Sequence, residues 1–162
     1  AREGAREVHL LGTSQAEVQT LDPTLISDLA SEGLTLSAHG YLEREEELLA
    51  VLGRCRLAFY PGSIGLSLLE AMRAGLPTLL AAPPAPHMPE REVFVEEGVG
   101  RFFTLRERLS MSDWGARLHE ALTDDLWLDE AQARCFKQSE AFSTKRMAHE
   151  MYALIKGEFL EP

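Results

Sequence analysis

Short apolar runs with strand character recur at residues 8–11, 34–39, 57–60, 78–82 and 101–104, and most of the segments between them repeat their apolar residues every three or four positions. Residues 12–14, Gly-Thr-Ser, predict a loop after the first strand. Asp22-Pro23 then opens a helix with proline in its first turn, Leu25, Ile26, Leu29 and Ala30 form its apolar face, and Gly33 ends it. Residues 43–53 predict a second helix, with Leu48, Leu49 and Leu52 inward. From Gly65 to Ala74 apolar residues occupy nearly every side of the helical wheel, which predicts a helix sunk in a core, with Ser63 as its N-cap and Gly75 as its stop. Beyond residue 104 the pattern is helical throughout. It predicts one helix from Ser112-Asp113 to 123, with Trp114, Leu118, Ala121 and Leu122 inward, a second over 128–142, and a third from 143 or 144 to 157. In the third, Met147, Met151, Tyr152 and Ile155 form either a core stripe or a face that covers an absent domain.

Strands that alternate with helices at this spacing predict right-handed βαβ crossovers and a parallel sheet. The expected class is α/β: a Rossmann-like three-layer arrangement, a parallel sheet flanked by helices, with a helical segment at its C-terminal end. Residues 1–162 are expected to form one domain, with residues 8–105 as the α/β core and 112–158 as the C-terminal helices. Ligands of such sheets bind outside the carboxyl ends of the strands. The loops at 12–14, 40–42, 61–65 and 82–89 are therefore expected to share one rim.

The chemistry concentrates in residues 57–80, LAFYPGSIGLSLLEAMRAGLPTLL. Pro61-Gly62 ends the strand, and a loop holding Gly62 and Gly65 lets backbone approach a ligand. The helix that follows directs N–H groups and partial positive charge at the same place, a seat for a diphosphate. Glu70, four residues from Leu66, shares its face and reaches toward hydroxyls such as those of a ribose; the other reading is an ion pair with Arg73. The proline-dense segment 81–89, AAPPAPHMP, is a stiff rim loop in which His87, followed by Glu90, either faces a ligand or belongs to a rigid connector.

PGSIGLSLLEAMRAGLP resembles the donor-site motif of retaining GT-B glycosyltransferases (the group 1 family), with its closest agreement at Gly65-Leu66 and from Leu69 to Pro77. A second segment in the right order, MPEREVFVEEGVGRFFTL, resembles the family's Pro-Glu, acidic-Gly-x-x-Gly and apolar-strand stretch, and the resemblance extends over about residues 8–142. It implies half of a GT-B fold, the C-terminal domain that binds a nucleoside diphosphate sugar, with transfer to an acceptor, retention of configuration and no metal. The donor-binding residues it implies are Gly40, Tyr41, Pro61, Gly62, Ser63, Gly65, Leu66 and Glu70; it assigns no catalytic residue. Tyr41, in the loop that meets the nucleotide base, either stacks on a ligand or covers the core edge. Gly62 stands where the family usually has a first glutamate, and the loop is shortened. The family's diphosphate-clamping Arg and Lys have no counterpart before Val8, because Arg2 and Arg6 lack the strand context. The expected partner is accordingly an acceptor-binding N-terminal domain or a separate subunit. The alternative is a non-catalytic nucleotide-sugar or interaction module.

Composition narrows the remaining classes. A formal net charge of −10 argues against a nucleic-acid surface, and no apolar tract is long enough to span a bilayer. Cys55 and Cys135 fit no metal or redox spacing, so free thiols in the cytoplasm are expected, with any contact at the membrane periphery made through the missing domain. His9, His39, His87, His119 and His149 form no HxH or HxxxH pair, and neither metal nor cofactor is expected. A response-regulator-like domain is disfavoured, because no acidic pair follows the first strand and no lysine ends a late one.

Overall fold

Every described strand pair in the computed structural model is parallel; the structure describes residues 7–61, 65–81, 98–103 and 111–156. The chain divides into two units, Ala1–Arg56 and Leu57–Pro162.

In the first unit, β1 (Glu7–Leu10) pairs with β2 (Thr35–Ala38), so that His9 lies opposite Ser37 and Leu10 opposite Ala38. Between them run two short helices, α1 (Gln15–Leu21) and α2 (Leu25–Ser31), and α3 (Glu45–Leu52) follows β2. The loop expected at 12–14 is brief, and α1 is a helix that apolar periodicity did not reveal. A capping box makes it: Glu17 N–H donates to Ser14 Oγ at 3.3 Å, while the Glu17 carboxylate accepts from Ser14 N–H at 2.7 Å. Pro23 does not fall inside a helix either. Asp22 Oδ1 accepts from the N–H groups of Thr24 and Leu25, and α2 starts after that turn. Leu25, Ile26 and Leu29 are half-buried, but Ala30, expected inward, is exposed. Leu52 of α3 is buried and the acidic run at 43–47 faces solvent.

In the second unit, β3 (Ala58–Tyr60), β4 (Thr78–Ala81) and β5 (Gly100–Phe103) form a sheet in the order β3-β4-β5. The crossover from β3 to β4 is α4 (Ser67–Arg73). Three longer helical stretches follow: α5 (Met111–Thr123), α6 (Asp125–Ser139) with a 3-10 turn at Glu140–Phe142, and α7 (Thr144–Lys156). Alternation along β4 sends neighbouring side chains to opposite faces. Leu80 packs with Leu68 and Met72 of α4, Val99 and Cys135, whereas Leu79 packs with Ala121 of α5 and with Trp127, Leu128 and Ala131 of α6. Both faces of this central strand are thus covered, which explains its unbroken apolar sequence. The fold is α/β, parallel sheets flanked by helices. Trp114, expected inward on α5, and Met147 of α7 lie outside the residues whose side chains are described. On α7, Met151, Tyr152 and Ile155 are exposed, so they are not a stripe of this unit's core.

Candidate functional site

Gly75 fixes how α4 returns to the sheet. Its φ of +69° lies in the left-handed region, Leu76 N–H donates to Ala71 O at 2.9 Å and Gly75 N–H to Met72 O at 2.9 Å. These bonds form a Schellman stop that delivers Leu76 and Pro77 directly into β4. An added Cβ at Gly75 would run into the Phe136 ring of α6, so close packing as well as backbone conformation requires glycine there.

The opposite end of α4 holds the predicted ligand seat. The helix starts at Ser67 with Leu66 in the cap position and no side-chain cap bond, so Ser63 is not its N-cap. Gly62 and Ser63 themselves lie outside the described residues, as do His87 and Glu90. Leu68 N–H donates to Gly65 O at 3.1 Å and Leu69 N–H to Leu66 O at 2.9 Å, a tightened first turn built on glycine rather than on a hydroxyl. Leu66 is 67% exposed, Pro61 is exposed and Gly65 half-buried. Burial of α4 is one-sided: Leu68, Ala71 and Met72 are buried, Glu70 and Arg73 exposed. The expectation of a helix sunk in a core is corrected accordingly. Water solvates the Glu70 carboxylate, and its charge requires no internal partner.

Tyr60, which the sequence reading passed over, joins the two halves of this unit. It sits at the carboxyl end of β3, and its hydroxyl donates to Ser67 O in the first turn of α4, at a long 3.4 Å. Burial pushes its phenol up to about 12; the hydrogen bond to Ser67 works the other way, and the nearby Glu70 carboxylate raises it further. An aromatic residue just before Pro-Gly at a strand end was the available signal.

Gly40 and Tyr41 belong to the first unit, beyond the carboxyl end of β2. Gly40 has φ +67°, donates to Thr13 O at 2.9 Å and accepts from Gly12 N–H at 2.8 Å, which locks the 12–14 and 40–42 loops together. Tyr41 is 84% exposed, so it does not cover a core edge within its unit. The structure therefore gathers Pro61, Gly65, Leu66 and Glu70 around one crossover, and holds Gly40 and Tyr41 in a separate rim turn. Among the described residues, no three His, Cys, Asp or Glu side chains are grouped to hold a metal ion, and no helix is long and apolar enough to cross a membrane. Cys55 and Cys135 are free thiols.

The crossover lies inside an α/β fold, parallel sheets flanked by helices, and the likeness to solved structures extends over nearly the whole chain. Two solved structures carry the same fold: a GtfA/B complex, with a TM-score of 0.58 at 15% identity over 97% of this chain, and the glycotransferase of kitacinnamycin, with a TM-score of 0.57 at 17% identity over 99%. This chain spans 37% and 45% of the lengths of those two proteins. No family model matches the sequence, and no curated protein matches it significantly.

Proposed function

We propose that this chain is the nucleotide-sugar-binding half of a retaining glycosyltransferase, working with an acceptor-binding domain or subunit. The observation that carries this reading is the β3–α4–β4 crossover: residues 65–77, which resemble the donor-site motif, fold as one unit within a fold shared with glycosyltransferases. In that unit the only carboxylate of α4, Glu70, is exposed. The assignment to the retaining, group 1 branch rests on the motif.

The chemistry proposed follows from charge. A departing nucleoside diphosphate gains negative charge in the transition state, and preorganised amide groups at the start of α4 stabilise it without reorganisation. Leu68, Leu69 and Glu70 N–H are bonded within the first turn, so the donors proposed for the anion are the preceding amides of Leu66 and Ser67. Glu70, exposed on the helix, accepts hydrogen bonds from the ribose hydroxyls. The acceptor and the remaining cationic compensation of the diphosphate come from the partner domain.

Isothermal titration of UDP, GDP and ADP tests the reading. One of the three binds, and Glu70→Ala weakens that binding by about tenfold, as loss of a charge-assisted hydrogen bond does, while the melting temperature stays unchanged because the side chain is exposed. Silence from all three nucleotides refutes the proposal.

A further inference from the structure

His9 and His39 are thirty residues apart in the sequence, and the pairing of β1 with β2 brings their rings together. His9 Nδ1 lies 3.0 Å from His39 Nε2, with ring centroids 5.2 Å apart and planes inclined by 33°. The other nitrogen of His9, Nε2, lies 3.3 Å from Glu7 Oε2, and that oxygen also accepts from Arg54 at 3.0 Å. The His9 side chain is only 7% exposed. The 3.3 Å approach of His9 Nε2 to the carboxylate is a charge contact; with the His9 proton on that nitrogen, Nδ1 accepts from Nε2–H of His39.

We propose that this pair is a binding site for a nitrogen-preferring divalent cation of the nickel, copper and zinc group, held by His9 Nδ1 and His39 Nε2. Three features support it. A carboxylate beside the far nitrogen of an imidazole, as Glu7 is beside His9 Nε2, is the kind of neighbour that orients metal-binding histidines and raises their basicity. With metal–nitrogen bonds of about 2.0–2.1 Å, nitrogens 3.0 Å apart subtend an angle of roughly 90–100°, that of neighbouring ligands on one ion, once the two rings, which face each other nitrogen to nitrogen, turn toward it. The site also forms without loss of a proton: His39 shifts its hydrogen from Nε2 to Nδ1, and both rings bind as neutral imidazoles. With two protein donors, water fills the remaining positions, so the affinity is modest and the ion exchangeable. Once bound, the ion ties β1 to the residue that precedes Gly40 and so stiffens the rim turn carrying Tyr41.

Titration of the chain with Zn2+ and with Ni2+, followed by calorimetry and thermal melting, gives saturable one-to-one binding and a melting temperature that rises with metal concentration. His9→Ala and His39→Ala each weaken binding by tenfold or more, Glu7→Gln by about tenfold, and the exposed controls His119→Ala and His149→Ala leave it unchanged. Should a histidine variant not fold, Cu2+ paramagnetic resonance on the unaltered chain still decides the matter: two equivalent imidazole nitrogens on the copper support the site, and one or none overturns it. Absence of saturable binding, or binding that survives both His9→Ala and His39→Ala, also overturns it. Nucleotide affinity is measured separately, so neither result depends on the other.

Discussion

At the scale of single residues, environment decides what a given side chain can do. Glu70 was legible as the one acid of its helix, but not its exposure: the sequence shows apolar neighbours on both sides, and only the packing of α4 through Leu68, Ala71 and Met72 shows which face turns away. Tyr60 has the opposite character. Its phenol is raised to about 12 by burial, so the folded chain holds that proton more tightly than the unfolded chain, whose tyrosine titrates near 10. The stabilisation is complete below pH 10 and is lost as pH rises from 10 through 12, at most about 2–3 kcal/mol for a two-unit shift. Denaturant unfolding followed from pH 8 to pH 12 therefore shows a smaller alkaline loss for Tyr60→Phe than for the parent chain. A residual loss remains, because burial also pushes the Cys135 thiol up to about 12.

Elements begin and end where local hydrogen bonding allows, and this governs which of them a pattern reveals. Residues 15–21 carry little apolar periodicity and only Val18 is buried, yet the Ser14–Glu17 capping box starts a helix there. The Ser-x-x-Glu signal is present in the sequence, in a segment whose apolar pattern is weak. The start of α6 shows the same logic three residues earlier than the expected boundary. Asp124 accepts from Trp127 N–H at 3.1 Å and from Arg101 of β5 at 2.8 Å, while the Arg101 guanidinium lies 4.2 Å from the centre of the Trp127 ring. The backbone bond from Trp127, then Arg101, hold the Asp124 carboxyl below the usual carboxylate range. A depressed folded value contributes stability above the ordinary carboxylate range, and that contribution disappears as pH falls through the folded value. Asp124→Asn accordingly lowers the melting temperature at pH 7 and narrows the drop between pH 7 and pH 3, which calorimetry at the two pH values measures.

Across the whole molecule, alternation of strand and helix made the α/β class legible, since parallel strands require crossovers and a strand covered on both faces must be apolar throughout. Net charge belongs to this scale as well. With −10 overall and the acidic run of α3 facing solvent, the chain does not retain duplex DNA at 150 mM salt, and a gel-shift titration that showed a complex there would contradict this. By itself the sequence determined the alternation of strands and helices apart from α1, the glycine stop of α4 and the motif around Glu70, because periodicity, capping chemistry and backbone freedom are local properties. The tertiary structure alone decided that Glu70 faces solvent, that Tyr60 reaches Ser67, and that His9 meets His39. Those outcomes depend on which faces pack together and on the register of paired strands, which no local pattern encodes.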